Sequence, residues 1–187
     1  MKALIDTSSL ISFVRYYLPF DQGNKLKSFL EKQILEKRII VLDKVATECV
    51  YTSQGLVVSA LPFINNKKYK TSTSSLIAPQ KFHKLIDNNF LIGSEKKELS
   101  IAEYQNKRDA FLNSADCFLI LYAFTNKASE DIIIITEETG FNNDGKVFKK
   151  IPENCKFIDV KTQTLPEFFT SNDLINLSID VAATTLF

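Results

Sequence analysis

Four consecutive isoleucines at positions 132–135 constrain the fold of this chain more than any other feature. β-branched residues favour strands, and a strand that is apolar at every position is typical of a parallel sheet covered by helices on both faces. Two further short apolar runs, at residues 2–5 and 38–42, are each followed by apolar residues at helical spacing. This alternation predicts a three-layer α/β/α fold with a mainly parallel central sheet.

The remaining elements are predicted from apolar spacing and from turn residues. Helices are expected at residues 10–17, 21–37, 81–89, 95–111, 113–126 and 165–169. Residues 155–160 (CKFIDV) are expected to form the last strand, and Asp43 is a candidate N-cap for a helix that includes Cys49. Residues 62–80 are rich in Asn, Lys, Ser and Thr, which predicts a polar, loop-like insertion. We expect one domain over residues 1–170, followed by a C-terminal extension at 171–187 that the pattern does not assign.

The composition excludes several classes of protein. The chain has 187 residues, of which 45% are hydrophobic and 24% charged, as in a folded domain. No apolar stretch approaches the roughly 20 residues that cross a bilayer, and an acid at position 6 comes too early for a secretory signal, so we expect a cytoplasmic protein without membrane contact. Three separate cysteines and one histidine argue against zinc. Phosphate-binding P-loop, dinucleotide-binding and serine-hydrolase motifs are absent.

Acidic residues follow two of the predicted strands. Asp6 stands at the end of the first strand, and Glu137 and Glu138 follow the isoleucine run. Ligands of open parallel sheets bind beyond the carboxyl ends of the strands, so we expect these acids at one edge of the sheet. Acids also begin helices and loops after strands for purely structural reasons, and this alternative stays open for each of them.

Two further acids lie in predicted helices. Asp116 shares a helical face with Leu119, where an unpaired carboxylate would cost several kcal/mol. Alternatively, Ser114 or Asp116 caps that helix and is exposed. Glu48 lies beside the buried stripe of its own helix, where an exposed glutamate is ordinary. Four carboxylates in one site would repel one another, and hard divalent cations such as Mg²⁺ or Mn²⁺ would relieve that repulsion and promote phosphodiester hydrolysis.

Four short segments resemble the motifs of PIN domains, in the same order and spacing. Residues 4–11 (LIDTSSLI) look like the opening strand that ends in Asp and Thr, and residues 45–48 (VATE) like the helical glutamate motif. Residues 114–120 (SADCFLI) resemble the aspartate that heads an apolar helix, and residues 135–138 (ITEE) the fourth motif, whose acid is usually Asp. Residues 150–155 (KIPENC) resemble a motif of a bacterial PIN-like subgroup, the DUF4411 type.

The resemblance implies that residues 1–170 form a PIN-like nuclease domain. Such domains are metal-dependent endoribonucleases and often serve as the toxin of a toxin–antitoxin pair. The resemblance implies four acids that hold Mg²⁺ or Mn²⁺ and carry catalysis: Asp6, Glu48, Asp116 and Glu138. Glu137 is the alternative fourth acid, and Ser8 and Thr136 are the supporting residues. The implied partners are RNA, a cognate antitoxin protein and a second copy of the chain in a homodimer.

A net charge of +1 requires any nucleic-acid contact to come from a local basic patch. Lys67, Lys68 and Lys70 surround Tyr69, and aromatic residues among lysines can stack unpaired bases while the cations meet phosphates. A solvated loop explains the same residues. Two other functions stay open, a catalytically weak PIN-like domain that binds RNA or a protein partner and a nuclease that acts on DNA. The first is motivated by Glu138 and by the small net charge.

Overall fold

A computed structural model describes residues 1–140 and 145–171 of the chain. Five strands form one sheet in the order β3-β2-β1-β4-β5, and each neighbouring pair is parallel. The strands are β1 (Lys2–Ile5), β2 (Ile39–Leu42), β3 (Lys70–Thr71), β4 (Ile132–Ile135) and β5 (Lys161–Gln163). The parallel sheet confirms the predicted fold class.

Helices flank the sheet and complete the three-layer α/β/α architecture. They are α1 (Thr7–Ser12), α2 (Lys25–Leu35), α3 (Asp43–Tyr51), α4 (Leu56–Ala60), α5 (Gln80–Asn88), α6 (Gly93–Lys97), α7 (Ile101–Leu112), α8 (Ala115–Asn126), α9 (Ile151–Phe157) and α10 (Leu165–Ser171). A π-helical segment, Phe13–Tyr17, continues α1. In the described part of the chain, none of these helices has the length and apolar character needed to cross a membrane.

The three central strands are buried along almost their whole length. Every residue of β2 and β4 is buried, and in β1 only Lys2 is partly exposed. The uninterrupted apolar runs follow from this burial, because each central strand is covered on both faces. α8 is apolar on most of its surface and packs against β4 and α3, so it lies in the core as its sequence predicts.

The prediction of a last strand at residues 155–160 is wrong. The first three residues of this segment belong to α9, and β5 begins only after it, at Lys161. Pro152 lies in the first turn of α9, where its fixed φ suits a helix and its missing N–H leaves no intrahelical bond unmade. Asp159 then turns the chain with a φ of 50°. β5 is a short polar strand at the edge of the sheet, so it lacks the apolar run that marks a buried strand.

Part of the polar segment at residues 62–80 belongs to the sheet, since β3 pairs with β2. Thr73, just after β3, is buried, and its amide and hydroxyl donate to the carboxylate of Asp43 at 3.1 and 2.7 Å. Asp43 is not the N-cap of α3, because that position is Leu42. The Asp43 carboxylate instead anchors the segment that follows β3 to the start of α3.

The helix expected over residues 95–111 is divided in two. α6 ends at Lys97, and Ser100 begins α7 with a capping box in which its hydroxyl and the Glu103 carboxylate satisfy each other's backbone amides. The C-terminal extension expected at 171–187 lies outside the described residues beyond Ser171.

Ile134→Ala is expected to lower the free energy of unfolding by about 2–5 kcal/mol, because it removes a fully buried side chain from β4 and leaves a cavity. Ile101 is 90% exposed, so the matched control Ile101→Ala should change that free energy by less than about 0.5 kcal/mol. Urea denaturation followed by circular dichroism measures both values. Equal losses for the two variants would contradict the buried position of β4.

Candidate active site

The pairing of β1 with β4 brings the first and fourth sequence motifs together. Ile5 lies opposite Ile135 in the sheet, so Asp6 and Thr136 leave neighbouring strands at the same carboxyl edge. The amide of Asp6 donates to the carbonyl of Ile135 at 2.9 Å, which continues the ladder by one more bond. The register of two buried strands therefore determines where these two side chains meet, at the edge where ligands of parallel sheets bind.

The carboxylate of Asp6 is buried, with an exposed fraction of 4%. One oxygen, Oδ1, accepts a hydrogen bond from the amide of Thr7 at 2.6 Å. The other, Oδ2, accepts from the hydroxyls of Ser8 at 2.6 Å and Thr136 at 3.1 Å. Burial raises the pKa of Asp6, the three hydrogen bonds oppose that rise, and the negative charge of Glu48 adds to it. These donors hold the carboxylate in one orientation.

Glu48 and Asp6 accept hydrogen bonds from the same residue, Thr7. The hydroxyl of Thr7 donates to Oε2 of Glu48 at 2.5 Å, while the amide of the same threonine donates to Asp6. α3, which carries Glu48, follows β2, and β2 is the neighbour of β1 on the side away from β4. The second acidic motif thus reaches the same edge from the other side of β1.

Asp116 lies in the first turn of α8, and its carboxylate is not the cap of that helix. The N-cap is Ser114, whose hydroxyl accepts from the amide of Cys117 at 3.1 Å. Ser114 therefore begins the helix, as one of the two alternatives predicted, and Asp116 lies in the first turn, where the helix dipole favours an acid.

The negative charges that act on Asp116 come from the other three acidic motifs. Burial raises its pKa to about 8, and the negative charges of Asp6, Glu138 and Glu48 add to the rise. Lys146 opposes the rise. Carboxylates from three other parts of the sequence are therefore near enough to destabilise the charged form of Asp116.

The two glutamates after β4 contact different helices. Oε2 of Glu138 accepts from the amide of Ile151 at 2.9 Å, at the start of α9, and Oε1 lies 4.0 Å from Nζ of Lys146. Glu137 instead accepts from the amide of Leu165 at 2.8 Å, at the start of α10. Among the described residues, Glu138 lines a cavity together with Asp116 and Glu137 does not.

Ser8 and Thr136 link Asp6 to the backbone of both glutamates. The hydroxyl of Ser8 accepts from the amide of Glu137 at 3.1 Å, and that of Thr136 accepts from the amide of Glu138 at 3.2 Å. Each hydroxyl also donates to Asp6. The two side chains therefore position the segment after β4 relative to the buried carboxylate.

The lysines expected to bind substrate lie away from these acids. Lys67 and Lys68 precede β3, which runs parallel to β2, so they lie towards the amino ends of the strands. Nζ of Lys37, just before β2, donates to the carbonyls of Lys68 and Lys70 at 3.3 Å each. The acids follow the carboxyl ends, so the structure does not bring Lys67, Lys68 and Lys70 to the acidic site.

Other lysines do lie beside the acids. A cavity of about 210 Å³ is lined by Asp116 and Glu138 together with four lysines: Lys107, Lys146, Lys149 and Lys150. Lys107 belongs to α7, and the other three follow β4. The sequence pattern does not predict this group, because its members are far apart in the chain. The sequence signal for these lysines is a group of three within residues 146–150, after the last acidic motif and before α9.

The four acids have the chemistry to hold a hard cation. Mg²⁺ and Mn²⁺ prefer oxygen ligands, and these side chains supply only carboxylate oxygens. Within residues 1–140 and 145–171, no three or more Asp, Glu, His or Cys side chains are arranged to hold a metal ion directly. Mg²⁺ commonly keeps several of its waters and binds one or two carboxylates. Burial and, after it, repulsion from the other three acids raise the pKa of Asp116, and a hydrated divalent cation of this kind would relieve that repulsion.

The fold and the site define a class, a three-layer α/β protein with acidic side chains gathered at the carboxyl edge of a parallel sheet. The model of a family described as a domain of unknown function (DUF4411) matches residues 4–175. The chain belongs to this family, which confirms that part of the prediction. No curated protein and no solved structure matches the chain, and the PIN-like assignment stays a prediction.

Asp116→Asn is expected to stabilise the protein at alkaline pH without divalent cations. The pKa of Asp116 is about 8 in the folded chain, against about 3.9 for an unfolded aspartate. Between these values the folded state binds the additional proton, so stability falls as pH rises through this window. The amide cannot ionise, so the variant's advantage should be larger at about pH 8 than at about pH 5.

Thermal unfolding in EDTA at both pH values measures that difference. The matched control is Asp109→Asn, which removes an exposed carboxylate from α7 and should give the same small shift at both pH values. An advantage of Asp116→Asn that does not grow with pH would contradict the electrostatic environment described for this residue.

Proposed function

We propose that this chain is a PIN-like, metal-dependent endoribonuclease that hydrolyses RNA phosphodiester bonds in the cytoplasm. The observation that carries the proposal is the convergence of acids from separate parts of the chain. Thr7 donates to both Asp6 and Glu48, and Asp116 and Glu138 line one cavity. Burial and the charges of the other three carboxylates raise the pKa of Asp116. Gathering like charges at a partly buried edge costs stability in the free protein. Such a cost is expected where the charges serve a ligand, and a hydrated Mg²⁺ or Mn²⁺ would offset it.

Asp6 and Asp116 would hold the cation, with Glu48 and Glu138 beside it. When bound, such an ion polarises a phosphoryl group and lowers the pKa of water. Ser8 and Thr136 fix the direction of the Asp6 carboxylate through their hydrogen bonds to Oδ2.

The buried thiols support hydrolysis without a cysteine nucleophile. Burial raises the pKa of Cys49, which follows Glu48, and of Cys117, which follows Asp116, to about 12 in each case. A thiol with such a pKa provides almost no thiolate at neutral pH. Although both cysteines adjoin the acids in sequence, their role is to pack in the core.

The proposed biological role is the toxin of a toxin–antitoxin pair, with a cognate antitoxin protein as the regulatory partner and a homodimer as the working form. This role, the antitoxin and the homodimer are what the resemblance to PIN domains implies.

A second candidate is a PIN-like domain that binds RNA or a protein partner without cutting. The lack of a preformed group of three metal ligands within the described residues favours it. The glutamate at position 138 favours it too, because PIN domains usually have an aspartate there. Cleavage of DNA rather than RNA is a third outcome that the same experiment separates.

The purified protein is expected to cleave labelled single-stranded RNA with Mn²⁺ and not with EDTA. Asp6→Asn and Asp116→Asn should each lower the rate by at least about 100-fold, because loss of a residue that merely orients a metal ligand already costs about 10–100-fold. Asp109→Asn is the control and should cleave at the natural rate. DNA of the same sequence forms a parallel arm. Cleavage that survives both substitutions would reject the site, and binding without cleavage by the natural chain would favour the second candidate.

The two glutamates after β4 are expected to differ in the same assay. Glu138→Gln should lower the cleavage rate by about tenfold or more, because it removes a negative charge that acts on Asp116. Glu137→Gln should leave the rate within about twofold, since the amide oxygen can still accept from Leu165 at the start of α10. Comparable losses in the two variants would show that Glu138 has no special part in the chemistry.

A further inference from the structure

The cavity beside Asp116 and Glu138 combines three kinds of side chain. Carboxylates form one part of its wall, lysines another, and Phe111 of α7 contributes an aromatic ring. Its volume is about 210 Å³. A purely acidic pocket would repel an anionic ligand, so the cations in the wall indicate that part of this cavity receives negative charge.

Lys146 can form an ion pair with a bound anionic ligand. Its Nζ lies 4.0 Å from Oε1 of Glu138, at the outer limit of an ion pair, and its side chain is 58% exposed. Such a pair contributes little to stability, so Lys146 can turn to another anion at small cost. Lys149 differs, because its Nζ donates to the carbonyl of Asn89 at 2.7 Å and lies 4.5 Å from the centre of the Phe157 ring.

Lys107 and Phe111 face the same cavity from one helix. They are four residues apart on α7, so they lie one above the other on the same face. The ring of Phe111 stacks on that of Phe148, with centroids 4.3 Å apart and an angle of 10° between the planes. Phe148 is buried and forms a backbone bridge with Leu91. The aromatic wall is therefore held in place before any ligand arrives.

We propose that this cavity binds one nucleotide of a single-stranded polynucleotide, with its phosphate near Lys107 and Lys146 and its base against Phe111. A rigid aromatic ring in the same cavity as cations is the arrangement that single-strand binding proteins use, because every base has a face that can stack. The bases of a duplex already stack on one another, so this cavity selects unpaired strands. The inference rests on the proposed function, since it assigns the substrate strand a place beside the acidic residues.

Binding of fluorescein-labelled single-stranded RNA and DNA of the same sequence to the full chain tests the proposal, with anisotropy measured in EDTA. The double variant Lys107→Ala/Lys146→Ala should weaken binding about tenfold at low salt. It should also reduce the slope of log affinity against log salt by about 1.4, because each phosphate contact to a single strand contributes about 0.7. Loss in either arm supports the site and identifies the type of strand that it takes.

Phe111→Leu should weaken binding about tenfold without changing the salt slope, since it removes a stacking face and no charge. Circular dichroism and thermal unfolding check that this variant keeps its fold. The matched charge control is Lys67→Ala/Lys68→Ala, which removes two lysines near the amino ends of the strands and should leave binding unchanged.

Equal losses in the two lysine pairs, or no loss in Lys107→Ala/Lys146→Ala, would overturn the proposal. Because the proposed cleavage requires a divalent cation, binding in EDTA is measured apart from cutting. A selective loss of binding therefore supports the cavity even if the natural chain proves not to cut RNA. Cleavage by the natural chain together with unchanged binding in the variants would overturn the cavity and leave the nuclease proposal standing.

Discussion

The buried carboxylate of Asp6, at the junction of β1 and β4, is the group on which the site depends. An unpaired carboxylate in such a position would cost several kcal/mol, and three hydrogen-bond donors offset that cost. Two donors come from the first turn of α1, and the third, Thr136, directly follows the neighbouring strand β4. The arrangement forms only when Ile5 lies opposite Ile135, because a shift of one residue would turn the side chains to the other face of the sheet. The geometry of the site is therefore tied to the register of the core.

The contacts around Asp6 continue outward into the second half of the chain. The hydroxyls of Ser8 and Thr136 accept hydrogen bonds from the amides of Glu137 and Glu138. The carboxylate of Glu137 then accepts from the first turn of α10, and that of Glu138 from the first turn of α9. Glu138 thus makes two kinds of contact, since it lines the cavity with Asp116 and also accepts a hydrogen bond from the start of α9. An aspartate at position 138 is one methylene shorter and would lose its contact with Ile151 unless α9 moved closer. These two contacts give a physical reason for a glutamate in the fourth motif.

The parts of the fold that the sequence predicts correctly are those that burial determines. β1, β2 and β4 are covered on both faces, so each has to be apolar at nearly every position, and the pattern is visible without a structure. β3 and β5 lie at the edges, are two and three residues long, and are polar, so they carry no such pattern. Residues 155–160 contain strand-favouring residues, yet Ile151 and Cys155 are buried four residues apart in α9. That helical spacing, together with Pro152, was the better guide.

The convergence of acids at one edge of the sheet could be predicted in part, and the position of the lysines beside them could not. Asp6 and Glu138 follow strands of a parallel sheet, so they converge at one edge and their position in the sequence is enough. Glu48 and Asp116 lie in helices, and only the packing of α3 and α8 brings them to the same edge. The direction of a lysine depends on pairing that the sequence does not state. Lys67 and Lys68 lie towards the amino ends because β3 runs parallel to β2, whereas Lys107 and Lys146 meet at the cavity only through the packed fold. With 23 basic and 22 acidic residues in the chain, net charge gives no sign of either cluster. The local electrostatic field depends on where the fold places each charge. In this cavity lysines lie directly beside carboxylates, an arrangement suited to a ligand that carries both a cation and a phosphate chain.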